Sequence, residues 1–170
     1  SAASDVYKRQ TQYSSEYFDA EIYRDGYRYN LHFEKGENIG GLKKEETNKK
    51  QTGSRQRWKP DLEVFTDINI PVEYFRDVLK KQAVVNKGLQ FLLRIEQEDG
   101  SFAEETFFYE NGITDYVGEI AGEQSLTTIQ YWETEQRGRD REDKDEYKVK
   151  LSVAFCFSNR VKFLEYYHNS

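Results

Sequence analysis

The chain has 170 residues, with 25 Lys and Arg against 31 Asp and Glu, a formal net charge of −6 and one cysteine. That length suits one ordinary domain or two small pieces, and the acidic balance argues against nucleic-acid binding through net charge alone. A lone Cys156 excludes an internal disulfide or a multi-cysteine metal site, and no apolar run approaches the roughly 20 residues of a membrane helix. With no apolar leader at the start, the expected location is the cytoplasm, with no membrane partner. The 13 Tyr and 11 Phe imply a core that is largely aromatic.

Residues 1–15 show no clean period, and the first ten read as a foreign junction, so this stretch is expected to be foreign or disordered. From Tyr17 the pattern alternates. Residues 18–24 and 27–33 flank Asp25-Gly26, which predicts a β-hairpin closed by a two-residue turn. Residues 37–50 are polar and carry Gly40-Gly41, which predicts a loop; residues 52–58 predict a strand ended by Pro60-Asp61. Residues 71–86 predict a helix. Pro71 suits its first position, Val72, Phe75, Leu79 and Ala83 form its stripe, and Gly88 lies just past its end.

Residues 89–95 predict a strand with Leu89, Phe91, Leu93 and Ile95 on one face, turned by Asp99-Gly100 into a partner over 101–109. After Asn111-Gly112 a short helix is predicted over 113–121, with Ile113, Val117 and Ile120 inward. Two strands follow near 126–132 and over 147–157. The charge-dense stretch 133–146 between them predicts a mobile loop. Residues 160–167 predict a strand or strand plus turn. The order of elements implies an α+β fold.

Few residues suggest chemistry. No glycine-rich phosphate loop follows a strand. His32 lies in a strand without a partner motif and His168 lies far from it, so neither reads as a ligand. Cys156 has no activating neighbour for a catalytic thiolate. Glu45-Glu46 and Glu104-Glu105 are adjacent, and neighbours on a strand point to opposite faces. The composition therefore yields no catalytic and no metal residue. Lys43, Lys44, Lys49, Lys50, Arg55, Arg57 and Lys59 form a basic stretch that either meets phosphates or is a solvated face.

Several short runs, in order and with kept spacing from Glu16 onward, resemble the ATPase (B-type) subunits of bacterial type IIA DNA topoisomerases, that is, the B subunits of DNA gyrase and of topoisomerase IV. Residues 15–26 resemble the strand after the ATP lid. Phe33-Glu34-Lys35-Gly36 resembles F-x-R/K-G, and Thr52-Gly53-Ser54 resembles T-G-T. Trp58-Lys59-Pro60-Asp61 with Phe65 resembles F-x-P-D…I-F. Ala83-Val84-Val85-Asn86-Lys87-Gly88-Leu89 resembles A-F-L-N-K-G-L, and Tyr109-Glu110-Asn111-Gly112-Ile113 with Tyr116-Val117 resembles Y-x-G-G-I-x-x-[YF]-V. Ser54 departs from the usual threonine and Asn111 from the usual glycine. Arg55-Gln56-Arg57 is more polar than the usual strand, and 133–146 is more charged.

The resemblance implies remnant strands of a GHKL-type ATP-binding domain over 16–65. A transducer domain over 66–170 would follow, with a mixed sheet and a left-handed βαβ crossover. It implies a role in coupling ATP binding and dimerisation of the B subunit to DNA strand passage. The implied partners are a second B subunit, the A subunit of gyrase or topoisomerase IV, and DNA. ATP and Mg2+ would serve the parent enzyme and neither is expected bound to these residues, since the family's catalytic and metal-binding motifs are not among them. The one implied cofactor contact is Ser54, whose hydroxyl would replace the threonine that binds adenine through water. A stand-alone β-rich binding module, or another GHKL ATPase of the mismatch-repair or chaperone type, are the alternatives.

Overall fold

The protein is described by a computed structural model covering residues 9–47, 51–139 and 141–168. Its chain forms two compact units, Ser1–Ile70 and Pro71–Ser170. Residues 9–13 are helical and lead into β1; the rest of the expected foreign stretch, residues 1–8, lies outside the described residues.

In the first unit, β1 (Ser15–Arg24) and β2 (Tyr27–Glu34) pair antiparallel in the hairpin that the alternation predicts. Asp25 and Gly26 both hold positive φ, 55° and 78°, which is the geometry of a type I′ turn and matches the twist of the strands it joins. A second turn of this kind, Lys35-Gly36, leads into β3 (Glu37–Asn38). Gly36 is needed twice over: its φ is 86°, and a Cβ there would lie 2.3 Å from the Tyr13 ring. β5 (Gly53–Pro60) pairs antiparallel with the other edge of β1, giving the order β3-β2-β1-β5.

The loop predicted over 37–50 is corrected in part, because β4 (Lys43–Glu46) pairs with β2. Cross-strand chemistry accounts for it. Glu45 accepts from Arg28 opposite, and the Lys44 ammonium sits 3.8 Å over the Tyr27 ring. Gly40 and Gly41, at φ 82° and 69°, carry the chain between β3 and β4. At the end of β5, Asp61 is buried. Its carboxylate accepts from the Glu63 N–H, and its own N–H donates to the Ser14 carbonyl, so Pro60-Asp61 pins the entry to β1.

The second unit starts with α1 (Val72–Val85). Pro71 caps this helix in an extended conformation (ψ 137°) rather than occupying its first turn, one residue earlier than expected. α1 packs on the antiparallel pair β6 (Phe91–Glu96) and β7 (Phe102–Phe107). Phe91, Leu93 and Ile95 are half-buried while Leu92 and Arg94 are exposed, as the alternation predicts, but Leu89, expected on the same face, precedes the strand and is 50% exposed. α2 (Ile113–Ala121) has the predicted bounds. Gly112, at its N-terminus, abuts the end of α1: a Cβ there would lie 3.0 Å from the Val84 carbonyl oxygen and from Lys87 Cβ. The buried apolar side chains among the described residues are Ala83 and Val84 near the end of α1 and Ala121 at the end of α2.

β8 (Gln130–Gly138) and β9 (Tyr147–Phe155) form a third antiparallel pair, with α2 against β9. Here the charged-loop expectation is overturned for residues 133–138. The charges are cross-strand partners, Glu133 with Lys150 (2.8 Å) and Glu135 with Lys148 (2.7 Å). The strand has no apolar periodicity because both residue types on that face are charged, and a polar sheet face needs no apolar residue. Residues 160–168 form no strand; Phe163 instead packs edge-on against Tyr116 of α2, 6.0 Å between centroids. The α+β class stands. Among the described residues the strands of this unit are two separate antiparallel pairs, in place of one mixed sheet with a parallel crossover.

Candidate functional site

The hairpin register decides which side chains of the first unit share a face. Phe18, Ala20 and Ile22 of β1 lie beside Phe33, Leu31 and Tyr29 of β2, and beside Trp58, Gln56 and Ser54 of β5. This is the apolar face. Ser54 stands opposite Ile22 and is exposed, and among the described residues its hydroxyl makes no hydrogen bond. Ile22 and Trp58 are 42% and 50% exposed, so part of that side of the sheet is open among the described residues. An uncovered apolar surface carrying one free hydroxyl suits a flat, partly polar ring: the surface gains by contact, and the hydroxyl can donate or accept.

The opposite face is polar. Asp19 lies between His32 and Arg57, and Glu21 lies between Asn30 and Arg55. These residues, with Lys43, Ile39 and Gly41, line a shallow depression of about 310 Å³. His32 Nδ1–H donates to Asp19 Oδ1 (2.6 Å), and Nε2 lies 3.3 Å from Glu34 Oε1. The bond to Asp19 first, and that to Glu34 second, hold the imidazole above its ordinary pKa, so it stays protonated to higher pH. Ser, Thr and Cys are missing from the lining, so the Asp19–His32 pair has no nucleophile there to activate.

The basic stretch does not act as one cluster. Lys43, Arg55 and Arg57 line the polar depression. Lys44 lies on the apolar side over Tyr27, and Lys59 is paired with Glu16. Lys49 and Lys50 lie outside the described residues. Sequence reasoning misses His32 as a site residue, although the turn carries the signal: a two-residue loop at Asp25-Gly26 places Arg24 opposite Tyr27 and, counting back, Asp19 opposite His32.

In the second unit the polar contacts fasten elements together. Arg76 of α1 donates from Nε to both carboxylate oxygens of Glu105 on β7 (2.9 and 2.7 Å), which holds that carboxyl below its ordinary pKa. Glu119 of α2 accepts from Lys80 Nζ and from the Tyr109 hydroxyl, both at 2.6 Å; the lysine is the larger cause of its lowered pKa. Burial, and then the bond to Glu119, push the Tyr109 phenol up. Cys156 is half-buried and free. Among the described residues no group of three or more His, Cys, Asp or Glu is placed to hold a metal ion, and no helix is long and apolar enough to cross a membrane.

These features define a class: an α+β chain whose strands and helices match the fold of a GHKL-like ATPase region. The 43K ATPase domain of Thermus thermophilus gyrase B, solved in complex with an aminocoumarin, superposes with a TM-score of 0.66 at 26% identity, over 86% of this chain and 37% of that one. Over most of its length the chain is homologous to the B subunits of DNA gyrase and topoisomerase IV. It is 31% identical to the B subunit of DNA topoisomerase 4 from Enterococcus faecalis over 151 residues, 87% of this chain and 22% of that protein. It is 28% identical to the B subunit of DNA gyrase from Staphylococcus aureus over 154 residues, 89% of this chain and 23% of that one. The chain thus spans about a fifth of the length of these curated relatives. No family model matches it.

Proposed function

We propose that this chain is the part of a type IIA topoisomerase B subunit that joins the ATP site to the DNA-moving machinery. The observation that carries the reading is homology running through both compact units, 87% of the chain. In this reading residues 16–65 complete the ATP-binding domain and 66–170 begin the transducer; residues 9–15, expected to be foreign, instead belong to the first unit, since Gln12 bonds Gly36, Ser14 bonds Asp61 and the buried Ser15 opens β1. The first unit carries Ser54 on its apolar face, where the hydroxyl orients adenine through a bridging water. ATP and Mg2+ supply the phosphoryl chemistry of the whole enzyme. The chain's own contribution is that hydroxyl and the apolar platform around it. A rigid second unit, tied by Arg76–Glu105 and Lys80–Glu119, passes the ATP state on as a change between two arrangements. Its partners are a second B subunit, the A subunit and DNA, in the cytoplasm.

Residues 16–168 grafted in place of the matching segment of the Enterococcus faecalis protein test the coupling role. ATP-dependent relaxation by the chimera together with its A subunit is the expected result, and a chimera that hydrolyses ATP without moving DNA would refute the assignment. Within that chimera Ser54→Thr should keep the KM for ATP. Ser54→Ala should raise it about fivefold, the worth of one hydrogen bond of about 1 kcal/mol. The purified chain alone should show no magnesium-dependent ATP turnover.

A further inference from the structure

The polar face of the first unit holds positive charge that its own carboxylates do not absorb. Around the depression Asp19 is bonded to His32, and Glu21 lies 3.8 Å from Arg28, which also holds Glu45. Lys43, Arg55 and Arg57 line the same depression, and among the described residues none of them has a carboxylate within ion-pair distance. Arg57 is held in place by its guanidinium lying over the Tyr17 ring, 5.6 Å from the centroid.

From this geometry we infer that this face is a docking surface for the phosphodiester backbone of duplex DNA, contacted by Lys43, Arg55 and Arg57.

Spacing favours a polymer over a small anion. Arg55 and Arg57 stand two residues apart on β5, about 7 Å along the strand. Lys43 stands three strands away, across β1 and β2, at about 14 Å. The cations therefore ring a shallow surface instead of converging on one point. A small phosphate would reach one or two of them, while a duplex, with one charge per about 1.7 Å of its axis, can meet all three. Side chains on a rigid sheet, aimed at phosphates and not at base edges, give binding without sequence preference. The other lysine and arginine on this face are spent: Lys59 on Glu16, and Arg28 on Glu21 and Glu45. In a chain with net charge −6, affinity should be weak and strongly dependent on salt.

The choice of DNA as the polyanion rests on the topoisomerase reading; the location of the surface does not. Fluorescence anisotropy of a labelled 20-base-pair duplex with the full chain is the test. Three phosphate contacts give a log–log salt slope of about −2.7, so affinity should fall about 40-fold between 50 and 200 mM salt. Arg55→Gln with Arg57→Gln, both on exposed positions and checked by circular dichroism, should cut the slope to about −0.9 and weaken binding at 50 mM salt about tenfold or more. Lys44→Gln, on the opposite face, should change neither. No binding of the wild-type chain at 50 mM salt, or equal loss with Lys44→Gln, would overturn the surface. Saturable one-to-one binding of pyrophosphate that competes with the duplex at constant ionic strength would overturn the backbone assignment in favour of a small-anion site. These failures are separate from failure of the chimera, which tests the coupling role and not this face.

Discussion

Gly112→Ala is the sharpest structural test, because two independent costs meet at that residue. Its backbone holds φ 60° and ψ −125°, a region that an L side chain enters at a cost on the order of 1–3 kcal/mol. The added Cβ would also sit 3.0 Å from the Val84 carbonyl oxygen and from Lys87 Cβ. Neither is the far end of a flexible side chain, so the end of α1 must move, at a further cost of roughly 1–3 kcal/mol. The sum is about 2–6 kcal/mol for the second unit, against about 1 kcal/mol for Gly100→Ala, where φ is 80° and the space around the Cβ is open. In a unit of this size 3 kcal/mol lowers Tm by on the order of 12 °C or more. Each unit carries one tryptophan, Trp58 and Trp132, so urea unfolding in a Trp58→Phe background follows the second unit alone. A Gly112→Ala midpoint matching that of Gly100→Ala would refute the close approach of α1 and α2.

Other consequences can be measured the same way. Gly36→Ala should destabilise the first unit, because it meets both φ 86° and the Tyr13 ring, and Tyr13→Ala should recover part of the loss; no recovery would put the ring elsewhere. His32 has a raised pKa, so its stabilisation is complete below the ordinary value of 6.5 and is lost as pH rises through the folded value; wild type should lose stability relative to His32→Asn between pH 6 and 9, and a constant difference would refute the Asp19 bond. Glu133 is held down at about 2, chiefly by Lys150, so its contribution is present above 4.5 and lost as pH falls toward 2; Lys150→Gln should flatten the acid limb of the second unit's stability, which an unchanged limb would deny. Trypsin should cut after Arg141 or Lys144 before Arg137, which lies in β8 opposite Lys148; early cutting at Arg137 would dissolve that pairing.

How far the fold can be read from sequence depends on whether its signal is local. Asp25-Gly26 encodes its own turn, so β1 and β2 and their register follow from a dozen residues. α2 is bounded to the residue, because its glycine start and apolar stripe lie within one short window. β4 is not legible. Lys43-Lys44-Glu45-Glu46 has no apolar alternation, and what makes it a strand is Arg28 and Tyr27 on a neighbour already in place. The same holds for the second half of β8, whose Glu133 and Glu135 become strand residues only beside Lys150 and Lys148, their diagonal neighbours on β9. Charge complementarity across strands is a pair property, and a single-strand pattern does not contain it.

The faces of the first sheet show where such a reading must stop. Alternation along β5 puts Ser54 on one side and Arg55 and Arg57 on the other, and that much is visible in the string of residues. Which side is which depends on β5 pairing with β1 and not with β4, a contact between segments more than thirty residues apart. Once Ile22 is placed opposite Ser54, the serine must share a surface with Phe18, Leu31 and Trp58, and the two arginines must share one with Asp19, Glu21 and His32. The five described residues of the basic run then separate: Lys43 goes with Arg55 and Arg57, Lys44 goes with the serine, and Lys59 is withdrawn by Glu16. Among the described residues, a cluster that looks continuous along the chain is therefore three cations without an ion-pair partner on one face of a sheet, and it is the pairing partner, not the composition of the stretch, that decides which charges can act together.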